Sequence, residues 1–62
     1  MSGKQQTLYY LLQEQGYSYG ATMTAMHILS QSREAMDDAI AYIDEQHPSE
    51  KDLIEYIAHM CS

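Results

Sequence analysis

The sequence predicts an all-α fold, and three observations predict it. Apolar residues recur at helical spacing in four stretches, and no stretch alternates convincingly as a strand does. Ser18, Ser32 and Ser49 stand where three of those helices would begin, and Gly16 and Pro48 stand where two would end. The chain has 62 residues and a single cysteine, so no internal disulfide can support it. At this length the core is marginal, and a helical bundle with short connections needs the fewest long-range contacts to build one. A single domain spanning residues 1–62 is expected.

The first helix is predicted over about residues 4–15. Leu8, Leu11, Leu12 and Gln15 fall at i, i+3, i+4 and i+7, so the apolar stripe thins at its end. Ser2 and Gln5 fit a capping box. Gly16 then permits the left-handed conformation that closes many helices. Ser18 is a good N-cap for the second helix. Thr22, Ala25, Met26 and Leu29 share one of its faces, widened by Ala21 and Ile28. Gly20 in its first turn costs about 1 kcal/mol against alanine. Tyr17, just before the cap, is placed to pack on the first turns as a hydrophobic staple.

Ser30-Gln31-Ser32 is a short polar break. Ser32 caps the third helix, with Glu34 near the positive end of its dipole. Met36, Ala39, Ile40 and Ile43 form a clean apolar stripe. Asp44 and Glu45 sit at the negative end of the dipole, where acids are unfavourable unless they are solvated or bound. Gln46-His47-Pro48 ends this helix, because the residue before a proline is pushed out of helical geometry. Ser49 with Asp52 resembles a second capping box and opens a fourth helix over residues 49–61. Leu53, Ile57 and Met60 lie on one line of it, with Ile54 and Cys61 alongside.

Nine acidic and three basic residues give a formal net charge of -6. That argues against nucleic acid, whose phosphates need Lys and Arg, and against an anionic membrane surface. It would attract a basic protein surface. The N-terminal residues are polar, and the longest apolar runs fall far below the roughly 20 residues that span a bilayer. With a lone cysteine and no secretory signal, a cytoplasmic location is expected.

No catalytic constellation emerges, so an enzyme is not expected. Asp37 and Asp38 are adjacent on a helix and diverge by about 100°, whereas general acid–base work needs two carboxylates converging on a cleft. His59 and Cys61 point about 200° apart, and neither His27 nor His47 lies at helical spacing from another ligand, so no metal and no cofactor are expected. Met23, Met26 and Met36 read as core filler. Tyrosine is the unusual component, with six copies and no Phe or Trp. Its apolar body and polar tip suit half-buried boundaries and interfaces. Tyr17 and Tyr19 would form a docking patch, or Tyr9, Tyr10 and Tyr56 a dimer seam.

Leu12-x-x-Gln15-Gly16-Tyr17-Ser18 resembles the Leu-x-x-Met-Gly-Phe-Ser turn of the ubiquitin-associated (UBA) domain. Thr22-Met23-Thr24-Ala25-Met26 stands where that family carries small and large apolar pairs on its second helix. Asp37-Asp38-Ala39-Ile40-Ala41-Tyr42-Ile43 is similar to the acidic-acidic-Ala-Val-x-Tyr-Leu run of its third. The likeness covers about residues 8–46. It implies a UBA-like three-helix bundle over residues 4–47 with an additional C-terminal helix. The connection between helices two and three is longer than in the family, Gln15 replaces a methionine, and Asp44 replaces a leucine. In the family the Gly-aromatic turn and the end of helix three form the apolar surface that takes ubiquitin. Carried over, that surface comprises Gln15, Gly16, Tyr17, Ile43 and Asp44. The polar residues at two of those positions argue against ubiquitin itself, and UBA-like folds also serve other partners.

The function expected is therefore non-catalytic protein–protein recognition. The partner would dock on Gln15, Gly16, Tyr17 and Tyr19, adjoining Tyr42, Ile43 and Asp44. Two alternatives belong to other classes: a structural homodimer or small assembly component, or an acidic inhibitor of a basic protein, of the antitoxin or anti-regulator type.

Overall fold

The computed structural model describes residues 3–61, and the backbone alone at Cys61. Four helices follow one another: α1 (Gly3–Glu14), α2 (Tyr19–Leu29), α3 (Arg33–Gln46) and α4 (Glu50–Cys61). No strand occurs among the described residues. The fold is all-α, as the periodicity predicts.

Each helix end has an identifiable cause. At the end of α1 the Tyr17 N–H donates to the Leu12 carbonyl (3.4 Å) and the Gly16 N–H to the Gln13 carbonyl (3.1 Å). With Gly16 at φ +85°, these two bonds make a Schellman motif. The Ser18 hydroxyl accepts the Ala21 N–H at 3.2 Å, and the Ser32 hydroxyl accepts the Ala35 N–H at 3.2 Å. The Ser49 hydroxyl accepts the Asp52 N–H at 3.1 Å. All three predicted serine caps are made. The α3 helix stops at His47, which turns left-handed (φ +46°) ahead of Pro48. The predicted Ser2–Gln5 capping box lies outside the described residues, as does the side chain of Cys61.

The core draws on all four helices. Leu8 and Leu12 come from α1, Ala25 and Leu29 from α2, Met36, Ala39 and Ile43 from α3, and Leu53 and Ile57 from α4. Thr22 is the only buried polar residue among those described. Of the methionines, Met36 is buried, Met23 and Met26 are half-buried, and Met60 at the end of α4 is exposed. The fourth helix is integral to the core: Leu53 is 0 % exposed and Ile57 2 %. A buried leucine or isoleucine cut to alanine typically costs about 2–5 kcal/mol, so a chain this small depends on α4 to close.

The α2 helix meets all three of the others. The α1 helix lies against α3, and α4 lies on α2. The α1 and α3 helices run in the same direction. Lys4 near the start of α1 meets Asp37 near the start of α3, and Gln15 just past α1 meets His47 just past α3. Among the described residues no helix is long and apolar enough to cross a membrane.

Candidate functional site

Two neighbouring turns form the corner that the Gly-Tyr motif occupies. The Schellman motif ejects Tyr17 from α1 toward the core, where its ring packs. The reach of a tyrosine then carries its hydroxyl across to the α3–α4 connection, where it donates to the Pro48 carbonyl. The Ser18 N–H, left free at the start of α2, donates to a Glu50 carboxylate oxygen at 2.8 Å. The Gln15 Oε1 and His47 Nδ1 atoms share a hydrogen bond of 3.1 Å. Three contacts between residues about thirty positions apart therefore tie the α1–α2 turn to the α3–α4 turn.

Behind this corner Tyr42 of α3 stacks on Tyr56 of α4, with ring centroids 4.4 Å apart and planes 21° from parallel. Burial pushes the Tyr17 phenol above its ordinary pKa, and neighbouring Tyr42, Asp52 and Glu50 push the same way. Burial also raises Tyr56, helped by Asp38 and Tyr42. Both phenols are thus held neutral, Tyr17 as a hydrogen-bond donor.

This geometry divides the expected docking residues. Ile43 is a correction: it is 0 % exposed and belongs to the core, so no partner can reach it. The apolar stripe of α3 already places Ile43 among Met36, Ala39 and Ile40, and all four helices contribute to the core that buries it. Tyr42 is half-buried, with one ring face taken by Tyr56. Tyr17 is half-buried and tied to Pro48, and Gln15 is half-buried and engaged with His47. Gly16 is exposed beside them. Tyr19, the first residue of α2, is 77 % exposed. Asp44 is exposed and lines a different feature, the groove between α1 and α3.

That groove has a volume of about 440 Å³ and is lined by Thr7, Tyr10, Leu11 and Glu14 of α1 and by Ile40 and Asp44 of α3. Leu11 and Ile40 are half-buried, each touching the core on one side and the groove on the other. Tyr10, 61 % exposed, adds an aromatic wall. Glu14 and Asp44 are exposed and lie toward the end marked by Gln15 and His47. Toward the opposite end, the Lys4 ammonium meets both Asp37 oxygens, at 2.6 and 2.8 Å.

No protein-family model matches this chain, and neither does any curated protein or solved structure. The site is therefore defined by its own geometry.

Sequence reasoning names Asp44 for the docking patch and Tyr10 for a dimer seam, but does not bring the two together or add the rest of the groove. Leu11 and Ile40 carry the same periodic signal as true core residues, so periodicity alone reads them as covered. The available signal was Tyr10: an aromatic adjoining the apolar stripe, with acids Glu14 and Asp44 at the ends of two helices. A second cleft of about 340 Å³, at the α2–α3 turn, is lined by Ile28, Leu29, Gln31, Ser32, Ala35 and Met60 and carries no charged side chain. Among the described residues no three His, Cys, Asp or Glu side chains converge as metal ligands would.

Proposed function

We propose that this protein is a non-catalytic recognition module that docks another protein in the groove between α1 and α3. One observation carries the reading. Between α1 and α3 the core is left partly open, with Tyr10, Leu11 and Ile40 lining a groove that, unlike the cleft at the α2–α3 turn, combines an aromatic wall with charged side chains. Its volume of about 440 Å³ falls within the range of roughly 300–1,000 Å³ usual for ligand sites. A half-buried apolar groove with an aromatic wall and a charged rim has the anatomy of a protein-docking surface.

The UBA-like reading of α1–α3 belongs to this proposal. The left-handed Gly16 followed by the packed Tyr17 supports it. In that reading Tyr56 of α4 covers one face of Tyr42, and Ile43 is buried in the core, so the partner is a protein other than ubiquitin and the docking face moves to the groove. Asp44 is the residue that the expected patch and the groove share.

A random-peptide display selection against the immobilised protein tests the reading. Binders should be retained by the wild type and by Tyr19→Ala, and lost by Ile40→Glu while its circular dichroism stays helical. Binders indifferent to Ile40→Glu would remove the groove from consideration. A structural homodimer is the second reading, favoured by the exposed Ile54 and Met60 of α4. A sedimentation mass of twice the chain at low micromolar concentration would select it.

A further inference from the structure

The chemistry of the groove's occupant can be argued further, resting on the docking reading above. The two side chains lining the groove that carry charge at neutral pH, Glu14 and Asp44, are both acidic. The one cation on α1, Lys4, is engaged with Asp37. The other two, Arg33 and Lys51, do not line the groove. Nothing in the groove wall therefore offsets the two acids, and the whole chain carries a formal charge of -6.

This excludes two occupants on electrostatic grounds. An acidic segment would be repelled from the rim. A second copy of this chain, docked groove to groove about a two-fold axis, would set two pairs of acids against each other with no cation in either groove wall. A purely apolar segment would cover Leu11 and Ile40 but leave both acids partly desolvated without a partner, which is unfavourable.

We propose that the groove takes a basic amphipathic segment of another protein. An apolar side chain of that segment seats against Leu11 and Ile40 beside the Tyr10 ring. A neighbouring Lys or Arg reaches Glu14 and Asp44. Tyr10 serves both halves of this recognition, because its ring offers apolar area and its face attracts a cation. The apolar contact supplies most of the affinity, and the acid pair supplies selection for the charge of the partner.

The test uses two synthetic amphipathic helices, each roughly four turns long. They share the same leucine face, and one carries Lys flanking it where the other carries Gln. Each is titrated into isotope-labelled full-length protein, and amide shifts are followed by NMR. The Lys peptide should move the amides of Tyr10, Leu11, Ile40 and Asp44. It should bind more tightly than the Gln peptide. Its affinity should drop about tenfold in the Glu14→Gln, Asp44→Asn double variant, since two exposed ion pairs are lost. Raising salt from about 0.1 to 1 M should weaken it similarly, because the screening length falls from about 10 to 3 Å. Both substituted residues are exposed, so the double variant should keep its fold, which circular dichroism verifies. If both peptides bind the groove equally in low salt, the charge inference is overturned and the docking reading survives. If neither peptide moves the groove amides, or the Lys peptide moves another face, both are overturned.

Discussion

The corner at Tyr17 and the groove at Ile40 are made of similar materials and end in opposite states. Each combines tyrosine, branched apolar side chains and acidic residues at the ends of helices. At the corner, two turns come side by side, and their polar groups find one another: Tyr17 with Pro48, Ser18 with Glu50, Gln15 with His47. Those bonds hold the tyrosine inward, and Tyr56 of α4 covers one face of Tyr42 behind it. At the groove, α1 and α3 run parallel with contacts near both ends. The fourth helix lies on α2 instead, so Leu11 and Ile40 stay half-covered. Apolar residues are therefore no guide to a docking surface by themselves. What separates the two regions is whether a further element arrives to cover them.

The sharpest way to break this comparison is Ile43→Ala. If Ile43 is core, the variant should lose about 2–5 kcal/mol in urea unfolding, a large share of what a domain this small possesses. A wild-type midpoint would return Ile43 to the surface and with it the docking patch expected at the turn. Next in size is Gly16→Ala. A Cβ at Gly16 meets no atom within 4 Å, so its cost is the left-handed backbone alone, about 1–2 kcal/mol by the same measurement. Leaving stability unchanged would mean that the corner does not need its left-handed hinge.

A smaller effect comes from pH. The Tyr17 and Tyr56 phenols have raised pKa values in the folded state relative to the ordinary 10.0. The unfolded chain ionises first as pH climbs. Their contribution is therefore complete below about pH 10 and is lost as pH rises through the folded values. Unfolding measured between about pH 9 and 11.5 should show a decline that is shallower in the Tyr17→Phe, Tyr56→Phe double variant. Equal slopes would show that burial at the corner does not hold these phenols neutral. Smallest of all is Tyr10→Ala, expected to shift stability by no more than about 0.5 kcal/mol because the side chain faces solvent. The same change should abolish peptide binding in the groove. A variant that loses stability instead would make Tyr10 structural and the groove a closed seam.

Much of the fold is legible in the sequence because helix ends obey local rules. Ser18, Ser32 and Ser49 each bond to an N–H three residues on, and Gly16 closes α1 by bonds within a single turn. Local rules fail for Tyr17. A staple onto α2 is what its position implies, yet its hydroxyl reaches Pro48, 31 residues away, which no local pattern can announce. The candidate site is harder to read for the same reason. Ile40 and Ile43 sit on one stripe with equivalent local signals, and only the packing of the helices around α3 buries the second and leaves the first half-open. The fourth helix is legible as a helix, and Leu53 and Ile57 on its apolar line are buried, whereas Met60 on the same line stays exposed.

The interlocked turns also decide where this chain can change length. An added residue in the α1–α2 connection would pull Tyr17 from Pro48, and one in the α3–α4 connection would pull Pro48 from Tyr17, so neither can vary alone. The connection at Ser30, Gln31 and Ser32 is different. Its backbone bonds stay local: the Ser30 and Gln31 N–H groups donate to Met26 and Ile28, and the Ser32 carbonyl accepts from Met36 in the first turn of α3. Lengthening a connection of that kind costs little, since closure entropy grows only slowly with loop length. It is also where the UBA resemblance is interrupted by extra residues. Insertions, affinity tags and reporter groups share that single address, on a scaffold whose other two joints are locked to each other.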